Sequence, residues 1–145
     1  MNTTDKTDKT LSRIELTGDE RADQTHTLFG LYFPLHLEPT VYAITDRIAP
    51  AYTGGFWRFW RLANGSFYMT PDDADAARYW ISSMNGWQGK LSADALGIVS
   101  CLTAYSHLSF GGPAEFAREC ARHYHLLREY MFAHAEVAAI LRAVD

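Results

Sequence analysis

The first 24 residues hold few large apolar side chains among their Thr, Asp and Lys, which predicts a flexible polar tail ahead of one folded domain over 25–145. From residue 25 apolar positions become regular. Phe29, Leu31, Phe33, Leu35 and Leu37 fall on every second position. That alternation predicts an extended segment lying on the core, with Pro34 marking an edge or a break. Val41, Ile44 and Ile48 then return at helical spacing behind Pro39. Together they predict a short amphipathic helix over 39–49.

Two apolar runs, 56–62 and 67–70, flank Asn64-Gly65. Asn-Gly accepts the positive φ angles of a type I′ turn, so the pattern predicts a β-hairpin. Pro71 and the acidic group Asp72, Asp73 and Asp75 close it, a group too small for a calcium loop and read as a solvated loop. Residues 78–82 predict a further strand, and Asn85-Gly86 a second hairpin turn into 87–91. Three or four such strands suffice for one antiparallel sheet with a buried face.

Beyond Ser92 the period lengthens. Ser92 is placed to cap a helix and Asp94 to sit in its positive first turn. Leu96, Val99, Leu102 and Tyr105 or Ser106 share one face of it, and Gly111-Gly112-Pro113 separates it from the next helix. That second helix carries the stripe Phe116, Cys120, His123, Leu127 and Met131. A last short helix turns Val137, Ile140 and Leu141 inward. The expected class is α+β: a small antiparallel sheet, an N-terminal helix, and a helical C-terminal half packed on the sheet.

Composition narrows the function. The 145 residues carry a net charge of −4. That is too little for a basic nucleic-acid footprint, and far from an acidic imitation of duplex phosphates at about one charge per 1.7 Å. No strong sequence-specific DNA binding is expected. The N-terminus lacks a signal-peptide core, and no run approaches the ~20 apolar residues of a membrane span. With two isolated cysteines, Cys101 and Cys120, the chain reads as cytoplasmic with reduced thiols.

Chemistry-bearing groups do not assemble in the sequence. His123, His125, Glu119 and Cys120 cluster on one helix, but no second group completes a metal set. Ser66 lacks a nucleophile elbow, and Cys101 lies in an apolar run. The expectation is no catalytic residue, no metal and no cofactor. What stands out is the aromatic share, 14 % of the chain, much of it between Tyr52 and Trp80. On the first hairpin Trp57, Phe59 and Arg61 point to one face, and Phe56, Arg58, Trp60 and Leu62 to the other. A sheet covered on both sides, a protein-docking face, and a stacking platform for a small molecule or single-stranded nucleic acid all fit that pattern. Trp57, Arg58, Trp60, Arg61 and Tyr68 are the partner-binding candidates.

Three blocks carry a resemblance. The first is Tyr52, Gly54-Gly55-Phe56-Trp57, Leu62, Asn64-Gly65, Phe67-Tyr68-Met69 and Pro71. The second is Asn85-Gly86, Gly89, Leu91 to Ala95 and Gly97-Ile98, and the third His134, Glu136, Ala138 to Ile140, Arg142-Ala143 and Asp145. With Val41-Tyr42-Ala43 and Asp46-Arg47 upstream, the chain resembles the ArdB/KlcA antirestriction family from about Val41 to its end. Ser66 departs from the family's usual glycine, Phe56 from a tyrosine and Ala135 from a proline. The resemblance implies a compact α+β protein of plasmids and other mobile elements. Such a protein protects incoming DNA by inhibiting the host Type I restriction–modification complex, directly or indirectly, without itself being an enzyme.

Overall fold

The computed structural model describes residues 12–72 and 78–145. Asp73 and Asp75, and the start of the expected tail at 1–11, lie outside them. In chain order the elements are β1 (Arg13–Leu16), α1 (Glu20–Phe29), a π-helical turn (Phe33–Leu37), α2 (Glu38–Ile48), β2 (Trp57–Leu62), β3 (Phe67–Pro71), β4 (Arg78–Ser82), β5 (Gln88–Ser92), α3 (Ala93–Leu108), α4 (Ala114–Met131) and α5 (Val137–Val144). The class is α+β, as expected. None of the described helices is long and apolar enough to cross a membrane.

Two expectations for the N-terminal part are corrected. Residues 13–24 are not tail, because β1 pairs antiparallel with β2, Ile14 opposite Arg61 and Leu16 opposite Phe59. Nor is 25–37 extended. Phe29, Phe33 and Leu37 are buried, while Leu31 and Leu35 are 68 % and 65 % exposed. The alternating apolar string is therefore two rows of side chains spaced by four, on opposite sides of a helical segment.

The strands divide into two sheets, β1-β2-β3 and β4-β5, where a single sheet was expected. Both hairpins form at their Asn-Gly pairs, each with three loop residues instead of two. In the first, Leu62 N–H donates to Ser66 O and Gly65 N–H to Leu62 O; in the second, Ser83 pairs with Trp87 and Gly86 N–H donates to Ser83 O. Gly65 supplies the positive φ, 96°, that this turn and bulge require. The asparagines also brace the helices. Asn64 donates to Leu126 O on α4, and Asn85 to Arg142 O on α5, both at 2.8 Å.

Helix α3 is the centre of the molecule, packed against β3, α2 and α4. Its residues 95–102 are all buried, so it is apolar nearly all round. It also closes the free edge of β3. Tyr105 Oη donates to Phe67 O at 2.7 Å, and Met69 N–H donates to Cys101 Sγ at 3.5 Å. Those are the backbone groups β3 turns away from β2, so the edge has no open template for another strand. Gly97 makes the approach possible, since a Cβ there would lie 2.4 Å from Met69 O. The stripe read on α4 is buried in full, and on α5 Ile140 and Ala143 are buried with Val137 and Leu141 half-buried.

Candidate functional site

The structure places the five candidate residues unevenly. Trp57, Trp60 and Tyr68 are buried, at 2 %, 7 % and 0 % exposure, and Arg58 and Arg61 reach the surface. Trp57 donates its indole N–H to Tyr52 Oη at 2.7 Å and meets the Tyr42 ring edge-on. Trp60 donates to Thr70 Oγ1, and the Arg13 guanidinium lies 3.6 Å from its ring centroid. A stacking platform needs an open ring face, and this hairpin presents none from Trp57 or Trp60. The expectation of an exposed aromatic face is corrected on that point: the indoles are scaffold. Arg58 forms a two-pronged pair with Glu15 at 3.0 and 2.8 Å, and Arg61 donates to Gln24 at 2.7 Å.

Around these side chains runs a continuous polar chain across one face. Arg58, held by Glu15, lies 4.7 Å from the Trp60 ring, which Arg13 also covers. Arg13 donates to Tyr68 Oη at 2.5 Å and to Asp94 Oδ1 at 2.6 Å. Tyr68 donates to the same Asp94 oxygen at 2.9 Å, and His134 Nε2 meets Asp94 Oδ2 at 2.8 Å. His134 Nδ1 accepts the Glu136 N–H at 3.0 Å. The Glu136 carboxylate takes the Ser92 N–H and hydroxyl and pairs with Arg78 at 3.1 Å. Seven elements or loops contribute to this clasp, from β1 to the residues before α5.

Local folding explains each position. Ser92 caps α3 by accepting the Ala95 N–H, which sets Asp94 in the first turn beside the helix's positive end. Burial alone would raise the Asp94 pKa, but the His134 hydrogen bond, the Arg13 charge and the Tyr68 hydroxyl outweigh it and hold the carboxyl below its usual value. Burial drives the Tyr68 phenol far above its ordinary value, with the Asp94 charge adding to the effect. Because Nδ1 accepts a backbone N–H, His134 carries its proton on Nε2 and donates to Asp94 when neutral. Both of its nitrogens are then engaged. This arrangement orients and ties; it leaves neither a free base nor an ionised phenol.

The buried groups elsewhere are equally constrained. Burial pushes both the Cys101 and Cys120 thiols up to about 12. Ser66 Oγ and His123 Nδ1 are 3.0 Å apart inside the core, with His123 stacked on Tyr105. Burial takes His123 down to about 4, so it is neutral there. The Glu119–His123 pair read as metal-capable is 3.8 Å apart, with Arg122 Nη2 3.5 Å from the same ring nitrogen. Among the described residues no three His, Cys, Asp or Glu side chains converge as a metal set.

Sequence reasoning missed Arg13, assigned to the tail, and gave Asp94 only a helix-dipole role. One signal was available. Tyr68 lies in the first resemblance block, Ser92 and Asp94 in the second, and His134 and Glu136 in the third; the clasp is where the three blocks meet.

Comparison with known proteins agrees with that convergence. A family model described as antirestriction protein matches residues 50–145. The uncharacterized protein YfjX of Escherichia coli strain K12 is 36 % identical over 144 residues, covering 92 % of this chain and 91 % of its own length. Antirestriction protein KlcA of Escherichia coli is 38 % identical over 131 residues, covering 87 % and 89 %. A solved structure from work on KlcA and ArdB superposes with a TM-score of 0.83 at 36 % identity, covering 92 % of this chain and 94 % of that one. Those proteins are described as having a novel fold and antirestriction activity against Type I DNA restriction systems in vivo but not in vitro. On fold, sequence and the meeting of its three blocks, the chain belongs to the ArdB/KlcA antirestriction family.

Proposed function

We propose that the protein protects incoming mobile-element DNA in the cytoplasm by inhibiting Type I restriction endonucleases, as a binding protein that catalyses nothing and does not imitate DNA. The observation that carries this reading is its likeness, over nearly the whole chain, to proteins with antirestriction activity against Type I systems in vivo. Activity in vivo but not in vitro, described for those relatives, suits an inhibitor that needs a further cellular factor. A net charge of −4 supports contact through shape and apolar surface over phosphate mimicry. Arg58 and Arg61 are the contact positions retained on the sheet, Arg58 held by Glu15 and the Trp60 ring and Arg61 by Gln24.

Plating of unmodified phage on a host with an active Type I system tests the reading. Expression of the folded protein is expected to raise plating towards the level seen on a restriction-deficient host. Unchanged restriction in the presence of folded protein overturns it.

A further inference from the structure

The corner between α1 and α2 exposes apolar side chains that its own fold does not use. Phe29, Phe33 and Leu37 form the row that enters the core, and Leu31 and Leu35 form the opposite row, at 68 % and 65 % exposure. The two leucines are one turn apart, with Leu35 N–H donating to Leu31 O at 3.2 Å. Leu31 precedes, and Leu35 lies within, the π-helical turn that holds Pro34 between buried Phe33 and Leu37, and such turns recur at functional sites. A cleft of about 760 Å³ lies on one side, walled by Asp23, Glu38 and Pro34 over a floor of Phe33 and Phe59. A second, of about 460 Å³, lies on the other, walled by Glu115, Glu119 and Phe116. Leu31 lines both.

The rim is acidic. Among the described residues Asp23, Glu38 and Glu115 make no ion pair, and Glu119 is paired with Arg122. Two arginines, Arg21 and Arg118, share the clefts with these four carboxylates. Arg21 is turned inward, donating to Trp57 O at 2.8 Å with its guanidinium 3.7 Å from the Phe59 ring. Arg21 thus lines the first cleft and Arg118 the second, leaving carboxylates in excess across the two.

We infer that the Leu31–Leu35 ridge and its two acid-walled clefts are a docking surface for a basic, leucine-bearing amphipathic helix of a protein partner. The leucines supply an apolar ridge at helical spacing for the partner's groove, and the clefts take its flanking side chains. The carboxylates select lysine and arginine around that apolar stripe and speed the encounter. The surface stands on its own geometry; placing the partner within the restriction complex rests on the antirestriction reading.

The test is a titration of the isotope-labelled full chain with a synthetic leucine–lysine amphipathic peptide, followed by amide chemical shifts. Shifts concentrated at 30–37 and 115–119, weakened by salt, support the surface. So do their loss in Leu31→Ser/Leu35→Ser, with an unchanged melting curve, and their weakening in Glu38→Gln/Glu115→Gln should the first variant fold poorly. Shifts centred elsewhere, or an equal response to the same peptide with glutamate in place of lysine, overturn it. So does a dimer in sedimentation that the serine variant abolishes, because the occupant is then a second copy. Phage plating is read in parallel. Failure of plating with the peptide mapping intact removes the antirestriction reading alone, and the reverse outcome removes the docking surface alone.

Discussion

Two buried or half-buried side chains give the protein two separate responses to acid. His123 is neutral inside the fold and titrates at about 4, against about 6.5 when exposed. The unfolded chain takes that proton first. Stability is therefore complete above about pH 6.5, declines as the pH falls towards 4, and loses on the order of 3 kcal/mol at most. Urea unfolding across that range should show a falling midpoint, flattened in His123→Gln; an identical slope in the variant would assign the effect to another group. Asp94 acts lower. Its folded pKa is depressed, so its contribution is present above the ordinary carboxylate range and is lost as pH falls through the lower folded value. The side chain is about a third exposed, which discounts the pairing with Arg13. Asp94→Asn should cost about 1–2 kcal/mol at neutral pH, and a denaturant midpoint unchanged from wild type would show that the clasp stabilises nothing.

At the scale of elements, the closure of the β3 edge is the most exposed to single substitutions. Gly97→Ala would set a methyl 2.4 Å from Met69 O and 2.8 Å from Thr70 Cα, against backbone that cannot turn aside. We expect a loss of about 1–3 kcal/mol or more, read as a lower melting temperature. Tyr105→Phe removes the hydroxyl that donates to Phe67 O and should cost about 1–3 kcal/mol by taking that hydrogen bond from a buried carbonyl. A melting temperature within error of wild type for both would mean that α3 does not seal the edge. The hairpins and the α4 stripe were legible in the sequence because Asn-Gly and a four-residue apolar spacing each determine local geometry. The 29–37 segment was not. An alternation of period two and a pair of offset rows of period four place apolar residues at the same positions, and only the core decides which forms.

Across the whole molecule, the N-terminal strand is what the sequence concealed most. Arg13–Leu16 carries two charged residues in four, which reads as tail, yet those charges are the ones that reach Tyr68, Asp94 and Arg58. Long-range partners of this kind, 55 and 81 residues away, leave no local trace. Hydrogen exchange should show amide protection in β1 matching that in β2, and fast exchange there would return the segment to a tail. The three aromatic candidates are buried, where an exposed face was expected of them. Trp60 and Tyr68 lie under the face that Arg58 and Arg13 cover, whereas Trp57 packs on Tyr42 and Tyr52, and Arg61 reaches Gln24.

As a proposed binding inhibitor, the protein acts by occupancy and not by turnover. Restriction relief in cells, measured while the ratio of this protein to a Type I restriction complex is varied, tests that claim directly. Relief that requires at least matching amounts of the protein, and that vanishes when the restriction complex is raised above it, is the predicted result. Full relief persisting at a small fraction of the complex would contradict it.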